Sequence, residues 1–422
     1  MLNRFKSVLM SAVGASELGL QYHNDSDNDM MTDYINSNYV VEVENKPYSR
    51  PSFLGLTAEE TQVSADHRVR PIIVPRDLSR LPWCAGYAEC INAGKSTWNE
   101  DQASATRGDL KLSDVNVTLP YVMFSMFDGH AGYQVALTAR LHLHRIIVVC
   151  VIFKKVIVKI IQYCFLDCIL CDRLNIYVDY RAVLVLGEEQ RALTRDHTPD
   201  SESNRVRALG FLRSNELLKG HFTPLEFRKR PLQKELGSLV LYREPFMTGV
   251  TRGFGDHGLK AANTGVNIKP FLSSQPEVQS LDLDSCNLTE RDCIIVATDG
   301  LWDVVSDKIA AAILRKTLAP DTPSLEYRLT MGAQELVQAA RGRLIGRVWM
   351  GKPENPNDSD EKSSPIASVD DISVLVVPLY PYLCEHKQWL KTTQQERKYA
   401  ADSLATMCFD YPISNRSTDN SS

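Results

Sequence analysis

Tyr121-Val122-Met123-Phe124-Ser125-Met126-Phe127-Asp128-Gly129-His130 is an apolar run that ends abruptly in a carboxylate, a glycine and a histidine. Such a run reads as a buried strand that delivers Asp128 to the edge of a sheet. A second run, Cys293-Ile294-Ile295-Val296-Ala297-Thr298, stops in the same way at Asp299-Gly300, and the pair Asp370-Asp371 opens a third strand over residues 372–377. Three strand ends carrying acids point to a metal site. Hard divalent cations take oxygen ligands, and clustered carboxylates repel one another unless a cation sits between them. Taken singly, an Asp-Gly after a strand reads as a turn, so the surrounding words have to decide.

The chain has 422 residues, 44% hydrophobic and 23% charged, enough for one sizeable core with extensions. A net charge of −5 and the lack of a basic block argue against nucleic-acid binding and leave a protein or small molecule as partner. Ten cysteines are scattered without a secreted framework, and no signal peptide opens the chain, so a reducing, intracellular setting is expected.

In residues 1–19, Leu2, Phe5, Leu9 and Val13 fall at helical spacing, with Arg4 and Lys6 off that stripe. This suits a short amphipathic helix that rests on a membrane surface or acts as a targeting segment; the bland readings are a frayed terminus or a helix packed on the body. The expected location is cytoplasmic, with membrane association through residues 1–19 as a variant and the nucleus left open. Residues 21–45, rich in Asn, Asp and Ser, read as a linker. Order is expected from about Pro51, with a strand-like stretch at Trp83-Cys84-Ala85-Gly86-Tyr87-Ala88-Glu89-Cys90. Gly94-Lys95-Ser96 is not a nucleotide-binding loop, because the upstream glycine of that motif would fall on Glu89.

Five words in order carry a resemblance: Ala93-Gly94-Lys95-Ser96 with Asn99-Glu100-Asp101-Gln102; Phe127-Asp128-Gly129-His130-Ala131-Gly132; Thr251-Arg252-Gly253-Phe254-Gly255-Asp256; Ala297-Thr298-Asp299-Gly300-Leu301-Trp302-Asp303; and Asp370-Asp371-Ile372-Ser373-Val374. Together they resemble the metal-dependent serine/threonine protein phosphatases of type 2C. The wording around Asn99-Glu100-Asp101 and Ile268-Lys269-Pro270-Phe271-Leu272-Ser273-Ser274 is similar to their H/J/M branch. The likeness covers about residues 50–145 and 179–378.

The resemblance implies an α+β fold, a four-layer α-β-β-α sandwich with two Mg²⁺ or Mn²⁺ ions in a cleft at one end. Carried over by position, Asp128 would bridge both ions and Gly129 would offer its carbonyl to one. Asp299 and Asp370 would hold the first ion and Glu100 the second, with Asp101 in support. Asp303 and Asp179 would correspond to a weaker third-metal site. His130 would protonate the leaving alcohol, a role imidazole suits because it titrates near neutral pH; the bland reading is a surface histidine. Where many relatives carry a phosphate-binding arginine, this chain has Ser96 beside Lys95. Lysine lacks the bidentate fork of arginine, so Lys95 is either a substitute phosphate ligand or a solvated loop residue.

Residues 146–178 change character, crowded with Ile, Val, Cys, Phe and Lys, and match nothing expected of the family; they are expected to perturb the sandwich. Lys154, Lys155 and Lys159 interrupt the run too often for a membrane span, and Cys164, Cys168 and Cys171 lack a further ligand pair for zinc. Val178 replaces the glycine expected before Asp179, and Met247-Thr248-Gly249 abuts Val250-Thr251-Arg252 where the branch has additional strand residues. Helices are predicted over residues 132–143, presenting Val135, Ala136, Ala139 and Leu143 to the core; over 306–318, capped by Ser306 and burying Ile309, Ile313 and Leu314; and over 333–345. The organisation read from this is an amphipathic segment and linker at 1–50, a phosphatase domain at 51–378 and a polar tail at 379–422. The function it implies is hydrolysis of phosphoserine and phosphothreonine esters on phosphoproteins by metal-activated water. The alternative is an impaired, phosphatase-like protein that binds phosphoproteins without turning them over.

Overall fold

The computed structural model describes residues 47–112, 117–152, 167–170, 173–177, 181–198, 201–212, 250–256, 258, 269–351 and 367–392. The expected amphipathic segment at 1–19, the linker, Asp179, the junction at 247–249 and most of the tail lie outside them. So do Cys164 and Cys171.

The strands follow in chain order as β1 (Gly86–Cys90), β2 (Gln102–Leu112), β3 (Val117–Phe127), β4 (Asp167–Leu170), β5 (Arg173–Tyr177), β6 (Arg181–Leu186), β7 (Glu189–Ala192), β8 (Val278–Asp282), β9 (Cys293–Ala297), β10 (Arg343–Ile345), β11 (Val348–Met350) and β12 (Ile372–Pro378). The helices are α1 (Ala58–Ser64), α2 (Gln134–Ile152), α3 (Ser203–Leu212), α4 (Asp299–Trp302), α5 (Asp307–Leu318), α6 (Leu325–Arg341) and α7 (Tyr380–Thr392). Two five-stranded sheets result, in the orders β1-β12-β9-β6-β7 and β2-β3-β4-β5-β8, with antiparallel pairing throughout.

Alternation along the strands builds the layers, because successive side chains point to opposite faces. Tyr87, Leu184, Ile294, Val296, Leu375 and Val377 of the first sheet meet Ala103, Val122, Phe124 and Met126 of the second in one core. Their neighbours Ala88, Val183, Cys293, Ile295, Val374 and Val376 turn the other way, onto Leu314 of α5 and Leu329, Leu336 and Val337 of α6. On the far side α2 packs on β2 and β3. The order of layers is therefore helix, sheet, sheet, helix, as expected. Among the described residues no helix is long and apolar enough to cross a membrane.

Part of the atypical segment is built into this architecture. Residues 167–170 and 173–177 form β4 and β5, with Tyr121 to Phe124 of β3 on one flank and the whole of β8 on the other.

Three helix readings need correction. In α2 the buried face is Ala136, Leu137 and Arg140, while Val135 is 46% exposed; Arg140 turns inward to donate to Ser49 Oγ at 2.7 Å, and that fixes the rotation. In α5 Ser306 does cap, accepting from the Ile309 N–H, but Ala310, Ala311, Leu314 and Leu318 form the buried stripe and Ile309 stays exposed. The next helix runs over residues 325–341 and not 333–345, because Gly342 at φ 68° stops it and turns the chain into the β10–β11 hairpin.

Candidate active site

The acids of all three strand ends meet at one end of the sandwich. β3 delivers Asp128, β9 delivers Asp299 as the first residue of α4, and Asp370 and Asp371 immediately precede β12. Glu100 and Asp101 arrive just before β2, whose Gln102 pairs with Phe127. The glycines of the two Asp-Gly dipeptides explain how the acid-bearing ends of neighbouring strands, β3 with β2 and β9 with β12, approach so closely. A Cβ on Gly129 would sit 2.3 Å from the Glu100 carbonyl oxygen, and one on Gly300 would sit 1.8 Å from that of Asp371. Neither glycine adopts positive φ. Both are therefore required by close backbone contact and not by a left-handed conformation.

The carboxylates raise one another's pKa. Burial, then Asp299, Asp101, Asp370 and Asp371, push Asp128 well above the usual carboxylate range. Burial and Asp371 do the same to Asp101, and Glu100 is raised by burial and by Asp371. Asp371 is itself raised by burial, against the hydrogen bonds it accepts. Carboxylates gathered in this way disfavour one another's charged form unless an opposite charge lies close by. As the side chains stand, no group of three or more His, Cys, Asp or Glu among the described residues is arranged to hold a metal ion.

The acids divide into two kinds. Asp371 is buried and fully engaged: it accepts from the Asn92 N–H at 2.8 Å, from Asn92 Nδ2 at 3.1 Å and from the Glu100 N–H at 3.0 Å. Asp101 is buried behind the cluster and accepts from Thr298 Oγ1 at 2.9 Å, while the same Oγ1 accepts from the Ser373 N–H at 3.1 Å. These two lock loops together. Asp128, Glu100 and Asp370 are partly open, and Asp299 is exposed.

Two buried arginines hold the acid-bearing loops by their backbones. Arg50 pairs with buried Glu89 and donates to the carbonyls of Asn99 at 3.2 Å and Asp101 at 2.5 Å. Arg70, wholly buried, donates to the carbonyls of Ile91, Ser368 and Asp370 at 2.7, 2.7 and 2.9 Å. The indole of Trp349 on β11 lies against both Arg70 and Arg341, with guanidinium carbons 5.2 and 5.6 Å from its ring centre. None of these roles could be read from the five words, because each arginine acts on main-chain carbonyls far along the chain.

Lys95 lies among the acids. Its ammonium pairs with Asp370, and although burial opposes its charge, Asp370, Asp299 and Asp128 raise its pKa. The backbone N–H groups of Gly94 and Lys95 are gathered by Asn92 Oδ1 at 2.9 and 2.7 Å, which sets this loop. His130 lies on the exposed loop after β3, with Nε2 3.0 Å from Asp256 Oδ2; this bond outweighs the opposing effect of burial and raises its pKa. Asp303 is exposed one turn after Asp299, and its expected companion Asp179 lies outside the described residues.

The chain is similar to known protein phosphatases. Residues 168–344 match the family model "Protein phosphatase 2C". That match takes in residues 168–178 of the atypical segment, and for those residues it corrects the expectation of no likeness to the family. Human protein phosphatase 1H is 31% identical, the alignment covering 79% of this chain and 91% of the relative. Human protein phosphatase 1J is 32% identical, covering 79% and 86% respectively. The solved serine-threonine phosphatase 2C from Toxoplasma gondii is 17% identical, covers 73% of this chain and 99% of that one, and superposes with a TM-score of 0.33.

Proposed function

Because the chain belongs to the protein phosphatase 2C family, we propose that it hydrolyses phosphoserine and phosphothreonine esters on proteins at the carboxylate cluster. The observation that carries this reading is the convergence of Asp128, Asp299 and Asp370 from three strand ends, with Glu100 alongside; Asp299 and Asp370 both raise the pKa of Asp128, and Asp370 adds to that of Glu100. An all-oxygen donor set with unbalanced negative charge fits Mg²⁺ or Mn²⁺. Asp128, the Gly129 carbonyl, Asp299, Asp370 and Glu100 would hold two ions, with Asp101 behind them and Asp303 with Asp179 toward a third. When bound, such ions neutralise phosphoryl oxygens and make water a nucleophile near neutral pH.

The chain's own groups supply the rest. His130 gives a proton to the leaving serine or threonine oxygen, so the alcohol departs neutral. Arg50 and Arg70 keep the acid-bearing backbones in place, so that little reorganisation accompanies the reaction. Lys95 can meet a phosphate only by leaving Asp370; if Lys95→Ala leaves KM for a phosphopeptide unchanged, it has no such role. Phosphoprotein substrates and a cytoplasmic setting belong to this reading. Residues 1–19 would add a peripheral membrane contact, which deletion should reveal as weaker liposome binding.

The test is turnover of a phosphothreonine peptide with and without Mn²⁺, beside an Asp128→Ala/Asp299→Ala control. Metal-dependent turnover that drops by roughly 100-fold or more in the control is expected. A folded, soluble protein that binds phosphopeptide without turnover would overturn the enzymatic reading.

A further inference from the structure

The His130–Asp256 contact joins the loop after β3 to a loop 126 residues away. The His130 side chain is 56% exposed, whereas that of Asp256 is only 22% exposed. An exposed imidazole is free to rotate and to exchange tautomers, and a carboxylate on one ring nitrogen removes both freedoms.

The loop that leads to Asp256 is firmly held at residues 251–253. It is tied by the Thr251 N–H to the His197 carbonyl at 2.7 Å and by the Gly253 N–H to the Ser273 carbonyl at 2.9 Å. Arg252 clamps Glu202 through Nε and Nη2, both at 3.0 Å, and donates to the Gln275 carbonyl at 2.8 Å. Arg205 donates to the Thr251 carbonyl at 3.0 Å. Asp256 stands at φ 52°, in the left-handed region that aspartate tolerates better than most side chains. Between this loop and the first turns of α2 lies a cavity of about 90 Å³, lined in part by Asp128, His130, Val135, Phe254 and Asp256, so the pair shares a cavity with Asp128.

From this geometry, and resting on the phosphatase reading above, we propose that Asp256 is the positioning residue for His130: it accepts Nε2–H and leaves Nδ1 as the nitrogen that serves the substrate. Water oxygen bonds to phosphorus as the ester P–O bond breaks. The bonding pair goes to the leaving oxygen, which takes the proton from Nδ1; the ring ends neutral, with its remaining proton on Nε2 toward Asp256. Ester and water become alcohol and phosphate, and the ring recovers its proton from solvent.

The first test is spectroscopic. The full chain is labelled with ¹⁵N-histidine, loaded with Mg²⁺, and the His130 signal is identified among the nine histidines by its loss in His130→Gln. Neutral His130 is expected as a single Nε2–H tautomer in the wild type and as a mixture in Asp256→Asn. Identical ring ¹⁵N shifts in the two proteins would overturn the proposal.

The second test is kinetic. Asp256→Asn is expected to lower kcat on a phosphothreonine peptide about tenfold more than on an aryl phosphate, whose phenolate needs little help to leave, with KM within about twofold of wild type. In a His130→Gln background the same change should add nothing. Equal losses on both substrates would mean that Asp256 only supports the loop, and would overturn the proposal. If the wild type turned over neither substrate, the phosphatase reading would fall, while the ring spectra would still decide the role of Asp256.

Discussion

A single methyl group at Gly300 would lie 1.8 Å from the Asp371 carbonyl oxygen, closer than any side chain can approach a neighbouring backbone. Gly300→Ala must therefore push the start of α4 away from the residues that open β12, separating Asp299 from Asp370. The expected result is a loss of about 2–3 kcal/mol in stability by urea unfolding, together with weaker Mn²⁺ binding by calorimetry. Retained Mn²⁺ affinity would show that the close approach does not set the spacing of the acids. Positions such as Gly129 and Gly300 were half legible in the sequence. The dipeptides marked where acids sit, but the reason for the glycine lies in a backbone from another strand, which no local pattern records. Asp256 shows the same limit: it stood in a recognised word, yet its partner His130 is brought to it only by the fold.

At the scale of elements, the strands were the legible part. Runs such as Cys293–Ala297, buried along their whole length, declare themselves by composition, and their acidic ends follow from position. Helix faces were less legible, because Ala, Val and Ile at neighbouring positions allow more than one rotation. In α2 the choice was made by Arg140, a residue that simple patterning assigns to solvent. The braces were invisible for a related reason, since buried arginines acting on carbonyls leave no periodic trace. Arg50 offers a sharp test of their importance. Its side chain and that of Glu89 are each only 2% exposed, so Arg50→Ala strands a buried carboxylate; a loss of about 3–5 kcal/mol is expected in chemical denaturation. Arg50→Met/Glu89→Leu should recover part of that stability while Mn²⁺ affinity stays low, because the Asp101 carbonyl still lacks its donor. Full recovery of both would reduce Arg50 to a packing role.

Across the whole molecule, one ionic knot ties the segment after β7 to the loop carrying Asp256. Glu202 is buried, receives Arg252, Arg205 and Arg195, and lies 3.8 Å from His197 Nδ1. Burial opposes its ionisation, but His197, Arg252 and Arg205 outweigh it and hold the carboxyl below its ordinary value of 4.5. A depressed folded pKa means that this contribution to stability is complete above about 4.5 and is lost as pH falls from there toward the folded value. The urea midpoint of the wild type should therefore exceed that of Glu202→Gln by a constant margin at neutral pH, and the margin should shrink below about pH 4.5. A margin independent of pH would show that the knot does not act through charge.

Trp349 gives the molecule a property of a different kind. Its indole touches Arg70, and Arg70 grips the carbonyls of Ser368 and Asp370, so a fluorophore is mechanically connected to the acids. Indole emission responds to nearby charge, and a cation drawn in by Asp370 would pull on the backbone that Arg70 holds. Replacing the four other tryptophans, as Trp83→Phe, Trp98→Phe, Trp302→Phe and Trp389→Phe, would leave one optical reporter. The β10–β11 hairpin would then serve as a built-in gauge of metal occupancy, readable without substrate or added dye.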